Sequence, residues 1–112
     1  MEATKSIFCE TFGDSPYVRV LDHFLTFSGL DYSKSQVAGA TGVSRVTVDK
    51  IWGQLLDQSL IIRTRGIGRA EMYSLNIRNP SVKLIQELDF NLAKLFAKQQ
   101  APLKQEVRVP RK

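Results

Sequence analysis

The stretch from Ser33 to Leu60, SKSQVAGATGVSRVTVDKIWGQLLDQSL, constrains the fold more than any other part of the chain. Its capping residues and apolar spacing predict two short helices joined by a tight turn. Ser33 can cap the first, with Gln36 three residues on to complete a capping box. Val37 and Ala38 take the inner face of that helix. Gly42 suits the positive φ that stops a helix abruptly, a conformation a side chain resists. Ser44 then caps a second helix. Val48, Ile51, Trp52 and Leu55 return to one face of it at helical spacing. Arg45, Thr47, Asp49 and Lys50 fall largely on the other faces.

The flanking segments add three elements. Ser15-Pro16 is a cap followed by proline at the first helical position, which predicts a helix over about 15–28. Tyr17, Val18, Val20, Leu21, Phe24, Leu25 and Phe27 give it a broad apolar surface, and Gly29 is its natural stop. Before it, Ile7, Phe8 and Phe12 need cover that either a short strand or a helical turn would give. The two central helices are expected over about 33–41 and 44–58. Gly53 inside the second costs about 1 kcal/mol against alanine, so close packing against a neighbour is expected there. After Leu60 the period changes. IIRTRGIGRAEMYSLNI predicts two strands about a glycine-containing turn, a β-hairpin over about 61–77. Alternation puts Arg63 and Arg65 on one face of the first strand and points Tyr73 and Leu75 inward, with Glu71 and Ile77 on the same face.

Asn79-Pro80 starts a last helix over about 79–100. Val82, Ile85, Leu88, Leu92, Leu95 and Phe96 form one apolar stripe, widened by Leu84, Ala93 and Ala97. At 1.5 Å per residue the helix is roughly 28 Å long. A domain of residues 1–78 can cover only part of that stripe, so these six residues are expected in a homodimer interface. The segment 101–112 carries Lys104, Arg108, Arg111 and Lys112 against Glu106, and is expected to be a mobile basic tail.

The helix pair resembles the helix-turn-helix of DNA-binding regulators, through Ala38 at the helix crossing, Gly42 in the turn, and Val37, Val43, Val48 and Ile51 as shared core. Thr41 stands where a more apolar residue is usual. The hairpin that follows, with Leu55 to Ile61 leading into it, looks like the wing of MarR-like, ArsR-like and many archaeal regulators. Ser59 stands where those regulators often have glycine. Phe12 to Pro16 with Val20-Leu21 also resembles the opening of archaeal or archaeal-virus members. The resemblance implies a winged helix-turn-helix, mainly α with a small hairpin, and a regulator of transcription.

Charge fits a polyanionic partner. The chain has 16 basic and 11 acidic residues, a formal +5. From Arg45 to Arg78 there are six basic residues and three acidic, so the excess lies where the resemblance puts DNA. An α-helix fits the major groove with its first residues nearest the bases. Arg45 can give two hydrogen bonds to guanine, Ser44 and Thr47 can reach bases or phosphates, and Lys50 suits a phosphate. Arg63, Arg65 and Arg69 flank the hairpin tip, with Arg65 the best placed for a phosphate or minor-groove contact. Asp49 would repel phosphate, and is expected to pair with Arg45 four residues earlier. The competing reading is a winged-helix module that binds protein and no specific DNA. One histidine, His23, and one cysteine, Cys9, leave no metal cluster, no disulfide and little for acid–base or nucleophilic chemistry. An enzyme is not expected, nor a cofactor. No leader or apolar span is visible, so a cytoplasmic protein is expected.

Overall fold

The computed structural model describes residues 6–100, so the basic tail lies outside the described residues. Seven elements follow in order: α1 (Ile7–Phe12), α2 (Pro16–Thr26), α3 (Lys34–Thr41), α4 (Arg45–Asp57), β1 (Ile61–Ile67), β2 (Ala70–Leu75) and α5 (Pro80–Gln100). The fold is mainly α, with one two-stranded antiparallel sheet. Among the described residues no helix is long and apolar enough to cross a membrane.

Side chains receive the orphan amides at each helix start. Ser6, Ser15, Ser33 and Ser44 accept from the amides of Cys9, Val18, Gln36 and Thr47. Gln36 closes the box by accepting from the Ser33 amide at 2.8 Å. The Asn79 side-chain oxygen accepts from Ser81 at 2.9 Å, and its amide reaches the carbonyls of Gln58 and Ser59. Asn79 therefore joins the end of α4 to the start of α5.

The turn between α3 and α4 explains its residues. Gly42 has φ +75°, and a Cβ there would meet the Arg19 guanidinium at 3.1 Å. Thr41 donates to the Val37 carbonyl at 2.7 Å and accepts from the Val43 amide at 3.3 Å. A hydroxyl thus satisfies an amide that an apolar side chain would leave unserved. Arg19 donates to the Thr41 carbonyl and holds the turn against α2.

The core forms where α2, α3, α4 and the hairpin meet. Trp52 lies between Phe24 at 5.5 Å and the edge of Tyr73 at 5.4 Å, measured between ring centroids. Val20, Val37, Val48, Leu55 and Ile61 complete its buried centre. Tyr32 and Tyr73 exchange backbone hydrogen bonds of 2.7 and 2.8 Å, which fastens the α2–α3 loop to β2.

Residues 7–12 take the helical one of the two alternatives. Several other expectations need correction. Phe12, expected to find cover, keeps half its surface exposed. α2 stops at Thr26, capped by Phe27, before Gly29 is reached. Gly53 is not packed against a neighbour: it faces outward, and a Cβ there would meet nothing within 4 Å. A bulge at Thr64 shifts the hairpin register, pairing Arg63 with Tyr73 but Arg65 with Met72. Because cross-strand partners share a face, Arg63 and Arg65 lie on opposite faces. Met72, on the face opposite Tyr73 and Leu75, is also buried, whereas Ile77 lies past the strand end and is exposed. Along α5, Val82 is buried in its own core and Ile85 packs on it, so the first turns of the stripe cover the domain itself.

Candidate nucleic-acid interface

α4 buries Val48, Ile51, Trp52 and Leu55. At 100° per residue the line opposite that face runs through Val46, Lys50 and Gly53. Val46 is 69% exposed. Sequence reasoning passed over it, since an apolar residue beside a helix start reads as core; only its place opposite the buried face could have revealed it.

Ser44 is committed to its helix. It accepts from the Thr47 amide at 3.2 Å and donates to the Thr47 hydroxyl at 3.0 Å. Thr47 is half-buried. Arg45 is exposed but held from both sides. Its Nη1 donates to the Ser35 hydroxyl at 2.9 Å, and its Nε lies 3.6 Å from Asp49. Asp49 also reaches Lys34 at 3.2 Å. The expected Arg45–Asp49 pair therefore exists, with Lys34 as a third member the sequence did not suggest.

The three hairpin arginines differ. Arg63 lies 3.5 Å from Glu71. Arg65 gives Nε and Nη2 to the two oxygens of Asp31, at 2.9 and 3.1 Å. Thr64, on the bulge, donates to the same carboxylate. The Arg65 and Thr64 hydrogen bonds hold the Asp31 carboxyl at about 2, below the ordinary 3.8. Arg69 makes no salt bridge among the described residues, and stands at the turn into β2.

Cys9 is buried, and burial pushes its thiol up, which disfavours the reactive thiolate. His23 sits among Phe27 and Tyr32, 5.0 and 4.6 Å away, and burial lowers its pKa.

No protein-family model matches the chain, and no curated protein matches it. Solved structures do. ZitR of Lactococcus lactis in apo form superposes with a TM-score of 0.60 at 19% identity, over 74% of this chain and 63% of that one. BpsR of Bordetella bronchiseptica, whose DNA binding is regulated by 6-hydroxynicotinic acid, gives 0.55 at 20% identity, over 83% and 67%. A predicted DNA-binding transcriptional regulator from E. coli gives 0.53 at 22% identity, over 70% and 78%. These neighbours are winged-helix transcription regulators. The fold is a winged helix-turn-helix. In its terms α3 and α4 are the helix-turn-helix and β1–β2 the wing. The chain spans about two thirds of the length of ZitR and BpsR.

Proposed function

We propose that this chain is a homodimeric transcription regulator in the cytoplasm that binds double-stranded DNA in a sequence-specific manner. The observation that carries the reading is the first turn of α4 in a winged helix-turn-helix, where Arg45 and Val46 are exposed. That turn is the part of a recognition helix that meets base edges. Arg45 suits guanine, although it must first leave Ser35 or Asp49. Ser44 and Thr47 serve the backbone or bases only as far as their capping bonds allow. Lys50 takes a phosphate, and Gly53 next along the outward line lets the helix axis lie close to the strand. On the wing, Arg69 contacts the backbone. Arg63 and Arg65, already ion-paired, hold the wing in shape while their unused guanidinium donors face phosphate.

Selection of bound sequences from a random duplex pool tests the reading. A palindromic consensus is the expected result. Absence of binding to any duplex at low salt would refute it, and would leave the winged helix as a protein-binding module.

A further inference from the structure

The starts of α3, α4 and β2 enclose a cleft of about 530 Å³. Lys34 and Ser35 line it from α3, Arg45 from α4, and Arg69, Glu71 and Tyr73 from the wing. Its one lining carboxylate is already engaged: Glu71 lies 3.5 Å from Arg63 and accepts from the Tyr73 hydroxyl at 3.2 Å. Asp49, beside the cleft, is shared between Lys34 and Arg45. Four cations thus meet two carboxylates, and Arg69 keeps its charge unmatched by any salt bridge among the described residues. Ser35 accepts from Arg45, so its own proton is free to donate. The cleft has positive charge, a free hydroxyl donor and three walls from three separate elements.

We propose that this cleft seats one backbone phosphate of duplex DNA, held by Lys34, Ser35 and Arg69 together. The inference rests on the DNA-binding reading above and adds to it a contact from α3. A phosphodiester fits for two reasons. Lys34 and Ser35 from α3 and Arg69 from the wing can donate to its two unesterified oxygens together. The cleft is also open, so the strand can enter and leave on either side of the bound phosphate. Asp49 then has a role. In the free protein it holds Lys34 and Arg45 close together, and a phosphate can relieve it of Lys34 without the cation moving far. One phosphate gripped by both the helix-turn-helix and the wing fixes the wing relative to the recognition helix.

The test is the salt dependence of duplex binding by the full chain, on the site obtained by selection. Each phosphate contact contributes about 0.9 to the slope of log affinity against log salt. Lys34→Ala and Arg69→Ala should each lower the slope, and because both grip the same phosphate their losses should not add: the double variant should lose at most about one unit per half-site. Lys98→Ala, on the last turn of α5, should keep the wild-type slope. Arg69→Lys, which retains the charge, should restore most of the slope and so show that the loss is electrostatic. Replacing single phosphates by neutral methylphosphonates should then identify one position per half-site that weakens wild type more than it weakens Lys34→Ala or Arg69→Ala. Salt-dependent binding with wild-type slopes in both alanine variants would overturn the clamp and leave the DNA reading standing. A wild-type chain that binds no duplex would overturn both.

Discussion

At the scale of single residues, exposure separates what DNA can touch from what only holds the helix in place. Ser44 and Thr47 are spent on each other. Val46, between the two in sequence, offers a bare branched side chain on the outward line of α4. A methyl group is what such a residue recognises on a base edge, and thymine carries one in the major groove. Replacing thymine by deoxyuridine at successive positions of the selected site should weaken wild-type binding at one position per half-site. The loss should be about 0.8 kcal/mol, roughly fourfold, and Val46→Ala should abolish the difference. Equal tolerance of deoxyuridine by both proteins would remove Val46 from the base-reading set. Ser59 makes a second case. It adopts φ +56°, a left-handed conformation that favours glycine. Left-handed backbone costs a residue with a side chain about 1–2 kcal/mol. The bonds it makes here run through its backbone amide and carbonyl, which glycine would keep. Ser59→Gly should therefore raise the thermal unfolding midpoint by about 4 °C, and a lower midpoint would show that the serine hydroxyl matters.

Between elements, legibility follows sequence separation. The caps at Ser15, Ser33, Ser44 and Asn79 and the stop at Gly42 are local chemistry, and the sequence displays them. The Thr64 bulge does not show, because nothing in IIRTRGI distinguishes an extra residue from regular alternation. The pairing of Arg65 with Asp31 spans 34 residues and joins the wing to a loop that carries no motif of its own. Arg65 consequently reads as a DNA contact from sequence, while its geometry makes it first a tether for the wing. The tether has a pH signature. The Asp31 carboxyl stands at about 2 in the folded chain against an ordinary 3.8. A carboxyl lowered in this way stabilises the fold above its unfolded value, and the contribution is lost as pH falls through the folded one. Unfolding midpoints measured from pH 5 to pH 2 should therefore fall more steeply for wild type than for Asp31→Asn, with the variant already lower at pH 5. Superimposable profiles would mean that the pair contributes nothing to wing stability, as exposed pairs sometimes do.

For the whole molecule the open question is what covers α5. The stripe read from sequence divides in two. Val82 and Ile85 belong to the core of their own domain, and Leu92 is half-buried. Leu84, Leu88 and Leu95, at positions 0, 4 and 11 of one helix face, are 66%, 42% and 55% exposed. Phe96, 43% exposed, lies about a quarter-turn from that line. Three leucines in register suit an isologous contact, in which the same face of a second copy packs against them. Burying a leucine fully contributes about 1.5–3 kcal/mol, so a symmetric set of six is enough to offset much of the cost of association. Leu88→Glu would place two carboxylates at the centre of such a contact, and should give monomers in sedimentation at concentrations where wild type is dimeric. Because Leu88 lies outside the core, the variant should keep its helical content and lose only the stability that depends on protein concentration. Val82→Ala is the contrasting change: it removes methyl groups from a buried site, and should lower the unfolding midpoint without dissociating the dimer. Two-fold pairing through α5 would present two recognition helices to one face of the duplex, where half-sites lie about one helical turn apart. Leu88→Glu should therefore bind an isolated half-site as wild type does, yet lose the added affinity for the palindrome. A wild-type chain that sediments as a monomer at micromolar concentration would sink this assembly.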